Sequence, residues 1–390
     1  MRHLHAATAA VALAASIGCS SEAGRPANFR PADIVLGQPD FTSASPDRGG
    51  AISAGGVRFP VGDAHFASDV LLLPDTHNHR LLGYRGLPRT IGVDADFVLG
   101  QPDAASGVPS HAAQGFHFPQ TVWFDQGGLV VADTAASRVL MGAGTKTWAI
   151  GWSDVSAHRW GCAADRLSEP WSAITVAGKI IVADRSNHRV LVWNRVPMEN
   201  GVPADLVLGQ KDLDHCAAND PLGRGASGAR SARTLRYPTD VWSDGVRLLV
   251  VDQGNNRVLL WNQFPSVNGA PADVVLGQGD FHVAVAETTQ AGLSGPGFVA
   301  SDGRGIFVAD VRNHRILGWR SFPSADGAPA DLVLGQGDFQ HGAANDDDQD
   351  GVTDGPTART LNHPMGVAIA GDFLIVADTY NHRYLLYRSR

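Results

Sequence analysis

The sequence predicts an all-β protein: a six-bladed β-propeller of four-stranded blades, closed by an N-terminal strand that completes the last blade. Three observations carry this. The 390 residues include 45 Gly and 22 Pro, together about 17% against an ordinary ~12%, which calls for many tight turns and short strands. Two phrases recur along the chain at fixed spacing. The last unit stops one strand short, while an unattached strand of the missing type stands near the start.

Taken in order, residues 1–19 read as a signal peptide: Arg2, the alanine-rich apolar run Ala6–Ile17, then Gly18-Cys19. The run is too short for a hydrocarbon core that needs about 20 residues. Ser16-Ile17-Gly18-Cys19 resembles a bacterial lipobox, which implies lipidation of Cys19, a tether over residues 20–31, and a place in the bacterial cell envelope. That place is the outer membrane through the lipid, or the periplasm or exterior if the leader is cleaved plainly. The propeller then occupies residues 32–390. A formal net charge of −8 speaks against nucleic acid, whose phosphates require clustered Lys and Arg. A monomer is expected.

The phrase Ala-Asp-hydrophobic-Val-Leu-Gly-Gln ends at Gln38, Gln101, Gln210, Gln278 and Gln336. The second phrase, apolar residues, Asp, then Asn-His-Arg or a relative, spans Asp75 to Arg80, Asp133 to Arg138, Asp184 to Arg189, Asp252 to Arg257, Asp310 to Arg315 and Asp378 to Arg383. A proline opens each unit (Pro60, Pro119, Pro170, Pro238, Pro296, Pro364), with Pro-to-Asp spacings of 14 in five units and 15 in the first. The fourth unit shows the four apolar segments expected of a blade: Thr239–Ser243, Arg247–Val251, Arg257–Trp261 and Asp273–Leu276. On these phrases, over nearly all of residues 32–390, the chain resembles the NHL-repeat β-propellers. Blade two departs most: Thr134-Ala-Ala-Ser-Arg138 lacks Asn and His, and its fourth strand, around Trp148–Trp152, does not end in Gly-Gln. The orphan strand Asp33–Leu36 is the expected fourth strand of blade six.

Connectors 39–59, 102–118, 211–237, 279–295 and 337–363 vary in length. Strand alternation puts them on one end of the ring with the Asp…Arg turns, so that end is the expected binding face. The repeat Asp and Arg read as structural, an acid accepting turn N–H groups and pairing with the following Arg.

Several side chains stand out on that face. Trp160 and Trp171 flank the entrance to blade three and offer stacking surfaces. Arg224, Arg230 and Arg233 form a basic connector expected to pair with nearby carboxylates. Amidating lyases, NHL-like enzymes, hold zinc with histidines at the channel mouth; here the matching positions are His363 together with Phe59, Phe118, Glu169, Tyr237 and Gly295. Gluconolactonase-like propellers hold calcium with inner-strand carboxylates, for which Asp63 and Asp240 are the chief counterparts. No nucleophile elbow is present. The reading is therefore a platform for a protein, peptide or glycan, with a lyase or lactone hydrolase as the rival and no catalytic residue assigned.

Two local sites complete the expectation. Cys162 and Cys216 lie in neighbouring connectors, and an exported chain permits a disulfide between them. Asp346, Asp348, Asp350, the Val352 carbonyl and Asp354 fit positions 1, 3, 5, 7 and 9 of a calcium loop, while Thr357 replaces the Glu at position 12. Weak structural Ca2+ is the one cofactor expected.

Overall fold

The structure, a computed structural model, describes residues 28–125, 128–143, 146–156 and 159–389; Cys19 and the segment read as a leader lie outside them. Among the described residues no helix is long and apolar enough to cross a membrane.

Six four-stranded antiparallel sheets form the blades of a β-propeller. In the fourth blade the strands are Pro238–Ser243, Leu248–Asp252, Arg257–Trp261 and Val274–Leu276, within one residue of the segments read from the sequence. The sixth sheet is made of Pro364–Ala370, Phe373–Asp378, Arg383–Arg388 and, outermost, Ile34–Leu36. The N-terminal strand therefore closes the ring, with Ile34 opposite Leu386 and Leu36 opposite Tyr384.

Each strand alternates its side chains between two neighbouring blades, so the apolar surface forms one core between each adjacent pair. The core between blades three and four, for example, joins Val190 and Val192 to Val250 and Leu259. Trp193, Trp261 and Trp319 end third strands at 1–3% exposure, and their indole N–H groups donate to Val202, Ala270 and Ala328 carbonyls. They are packing residues.

The repeat phrases turn out to be a hydrogen-bonding frame. Each Asp and Arg form a fully buried ion pair, at 2.7 Å for Asp252–Arg257. The outer oxygen of Asp252 accepts the Arg236 N–H, and Asn255 donates to the inner one. The Arg257 guanidinium then donates to the Ser231 and Thr234 carbonyls of the incoming connector and to the Phe281 carbonyl of the outgoing one. One arginine thus anchors two connectors to one blade. Gln278 fastens the outgoing connector through Asn256 and Val285 carbonyls.

The histidine of the phrase links neighbouring blades. It sits in the left-handed region, with φ between 51° and 54° for His79, His188, His314 and His382. Nδ1 accepts the N–H of the residue before the next blade's proline: Phe118, Tyr237, His363 and Phe59 respectively. Asn256 and Ser137 do the same with side-chain oxygens. A protonated imidazole cannot accept this bond, and burial holds all four histidines down to about 4. The unfolded chain takes up these protons near the ordinary value of 6.5 while the folded chain does not, so stability is lost as pH falls from about 6.5 to about 4. The melting temperature should drop across that window. Replacing the four histidines by Asn, the residue used in blade four, should flatten the drop; an unaltered profile would refute the latch.

Candidate functional site

The frame holds two sets of side chains around the channel mouth. The residue before each unit-opening proline is left-handed in all six blades: Phe59, Phe118, Glu169, Tyr237, Gly295 and His363, with φ from 42° to 57°. Five are not glycine, although a side chain makes this conformation costly. The latch bond holds each one there. The second residue after each repeat Asp forms the other set: His77, Ala135, Ser186, Gly254, Arg312 and Tyr380. Their N–H groups all donate to the carbonyl two residues before a proline, as His77 does to Arg58 and Tyr380 to Asn362. Backbone geometry is thereby fixed while side chains differ from blade to blade.

The two sets meet within blades and across them. His363 stacks on Tyr380 at 4.3 Å, Phe59 lies edge-on to Tyr380 at 5.7 Å, and His77 sits 4.9 Å from both Phe59 and Phe118. Blades six, one and two therefore present one aromatic arc, with Tyr380 49% exposed. The opposite arc is polar. Ser186 donates to Glu169 at 2.6 Å, and Arg185 lies between the rings of Trp171 and Tyr237, at 4.4 and 4.9 Å.

The mouth has a floor. Trp171 stacks on Phe298 across the channel at 6.3 Å, with Met365 packed beside them. On the remaining side the backbones touch: Gly62 N–H donates to Met365 at 2.6 Å, and a Cβ on Gly62 would fall 1.7 Å from the Gln120 carbonyl oxygen. The site is a shallow dish.

The structure divides the residues singled out from sequence. His363 is on the rim and Trp171 is in the floor. Trp160 is not with Trp171; it is 79% exposed on the connector into blade three. Arg230 and Arg233 do not pair with carboxylates as expected. They donate to the His282 carbonyl of the next connector and to the Gly269 carbonyl of the turn between the last two strands of blade four, backbone acceptors that neighbouring segments bring to them; Arg224 is exposed on the connector into blade four. Asp240 is 1% exposed beneath the floor. Sequence reasoning passed over Tyr380, Arg185, Phe298 and His77. The signal was present: these positions vary inside a repeat whose flanks are constant.

Cys162 and Cys216 are joined, tying the connectors into blades three and four. In the acidic loop, Asp346, Asp348 and Asp354 hold carboxylate oxygens within 4.8 Å of one another, whereas Asp350 turns to accept the Val352 N–H. Asp346 accepts the Gly351 N–H just as Asp220 accepts that of Gly225 in the connector of blade four, so its position follows from the turn. The charges of Asp350, Asp354 and Asp346 add to desolvation in holding Asp348 above the usual carboxylate range, against the bond from the Asp350 N–H.

No family model and no curated protein matches the chain. Among solved structures it is similar to the WD40 β-propeller domain of Doa1, at 10% identity over 94% of this chain and 95% of that one, TM-score 0.44. It is similar also to virginiamycin B lyase from Staphylococcus aureus, at 8% identity over 83% of this chain and 78% of that one, TM-score 0.42. A chain of the nidogen/laminin complex is 13% identical over 71% of this chain and 84% of that one, TM-score 0.38.

Proposed function

We propose that this NHL-type propeller is an exported, lipid-anchored platform of the bacterial cell envelope that binds a protein or peptide segment through its dish. The observation that carries the reading is the pair of variable sets on an invariant frame: six left-handed positions whose backbone is the same and whose side chains are not. Such an arrangement varies recognition without disturbing the fold. Half-exposed aromatic side chains offer large contact area at small entropic loss, and the Glu169–Arg185 arc supplies polar complements opposite them. Export is supported by the leader at residues 1–19 and agrees with the Cys162–Cys216 bridge. A channel-mouth enzyme is less well supported, since His79, His188, His314 and His382 are engaged as latches on separate blades.

Photo-crosslinking in envelope extracts tests the platform. Tyr380→Ala with Phe118→Ala should lower capture of the partner at least about tenfold, the scale of a lost aromatic hot spot. Val246→Ala, at the turn between the first two strands of blade four and so on the opposite end, should leave capture unchanged. Equal loss in both, or in neither, would overturn the site.

Calcium at the acidic loop is a separate proposal. A hard cation between Asp346, Asp348 and Asp354 would relieve their repulsion and order the connector, with affinity on the order of 10⁻⁴–10⁻³ M. Calorimetry with calcium should show binding that Asp348→Ala abolishes; no heat from the unaltered protein would end the idea.

A further inference from the structure

Below the dish floor the channel is open again. A cavity of ≈ 160 Å³ runs from Asp63 and Ser172 toward the end of the ring opposite the connectors. Its walls are mostly carbon, with Val122, Ile174, Val241 and Val299 from four blades, although His65, Thr121 and Ser301 also line it. At its wide end stand Phe66, Trp123 and Trp242, all partly exposed.

At the closed end Asp63 lines the cavity, and Asp240, on the inner strand of blade four, lies beside it without lining it. Asp63 accepts the Val367 N–H and Asp240 the Val299 N–H, each reaching to a neighbouring blade. Burial pushes Asp240 up to about 7, and burial followed by the Asp240 charge pushes Asp63 well above the carboxylate range. Burial and the neighbouring acid thus favour holding a proton on the pair. Among the described residues neither enters an ion pair with Lys, Arg or His. Ser172 sits against Asp240, yet no well-aligned hydrogen bond reaches Asp240 Oδ1 or Ser172 Oγ, both buried. Buried acids without a cationic partner, with one carboxylate oxygen and one hydroxyl lacking a well-aligned partner, are costly to keep.

We propose that this lower channel binds a small primary ammonium with an apolar tail, its N–H groups on Asp63 and Ser172 with Asp240 next to them, and its carbon chain against the valine and isoleucine walls. The chemistry favours an organic cation over a bare metal. A hard divalent ion takes six or more oxygens, and below the acids the wall is mostly carbon, its hydroxyls Thr121 and Ser301 already bonded to the Ala173 and Gly303 N–H groups. The volume matches a guest about the size of benzene, which an apolar cavity of ~150 Å³ accommodates. The aromatic side chains at the open end would receive the tail, or the ammonium on its way in. This site lies on the other side of the floor from the dish and does not depend on it.

The experiment uses n-butylammonium and its neutral counterpart n-butanol on the full propeller, by calorimetry and by the indole N–H resonances of Trp123 and Trp242. The ammonium should bind and shift both resonances. The alcohol, lacking the charge, should bind at least about tenfold more weakly. Asp63→Asn should weaken the ammonium by a similar factor at an unchanged melting temperature. If that variant does not fold, the comparison of the two probes on the unaltered protein still decides. Equal affinity for both probes, no saturable binding of the ammonium, or shifts confined to other tryptophans would overturn the proposal. Calcium that binds and abolishes the ammonium response would overturn it as well, by making the acid pair a metal site.

Discussion

Removing residues 32–38 should leave a protein that does not fold cooperatively at ordinary temperature. Ile34, Val35 and Leu36 are 0–2% exposed, and burying three such side chains contributes about 5–8 kcal/mol. The same segment supplies the pairing to Tyr384–Leu386 and the Gln38 amide that donates to Ser45 and His382 carbonyls. That loss equals much of the ~5–15 kcal/mol that holds a typical domain. The strand Arg383–Arg388 would also become an open apolar edge, which invites association between chains. Thermal melting and light scattering of the truncated chain check this; a melting curve that matches the full chain would refute the closure.

Arg257→Ala should be the most damaging single substitution in blade four, with about 3–5 kcal/mol lost and a fall in melting temperature of roughly 5–10 °C. It strands the carboxylate of Asp252, fully buried, and releases three connector carbonyls that the guanidinium holds. Asp252→Asn should cost less, because its amide oxygen still accepts from Arg236 N–H or from Arg257, and the arginine keeps its carbonyls. Arg257→Lys should behave nearly like Ala, since one ammonium cannot span both connectors. Denaturant unfolding of the three variants gives the order; an Arg257→Ala protein within 1 kcal/mol of the parent would show that the connectors hold themselves.

The strands were legible because each is a local pattern stated many times over. Apolar runs between Gly, Asn and Asp turns recur in step with Pro and Gln, so an error in one unit is corrected by the others, as the match at Arg257–Trp261 illustrates. The Cys162–Cys216 bridge was legible for a simpler reason: outside Cys19 there are no other cysteines to choose between. Tyr380 and His77 were harder to see. Nothing about a Tyr or a His after a repeat Asp marks it as part of a surface until the left-handed residue of the next blade is placed against it.

By itself, then, the sequence determined the number of blades, the strand that closes them and the structural role of each Asp and Arg, because these depend on contacts within one unit or between one unit and the next. Only the tertiary structure decided what meets at the axis. Asp63 and Asp240 belong to blades one and four, and Trp171 and Phe298 to blades three and five. Residues on non-adjacent blades share no local pattern. They come together because six blades converge on one line, and the width of that line, set by Gly62 and by the floor aromatics, makes a shallow dish on one side and, on the other, a pocket open at its far end whose near end lies against the acids.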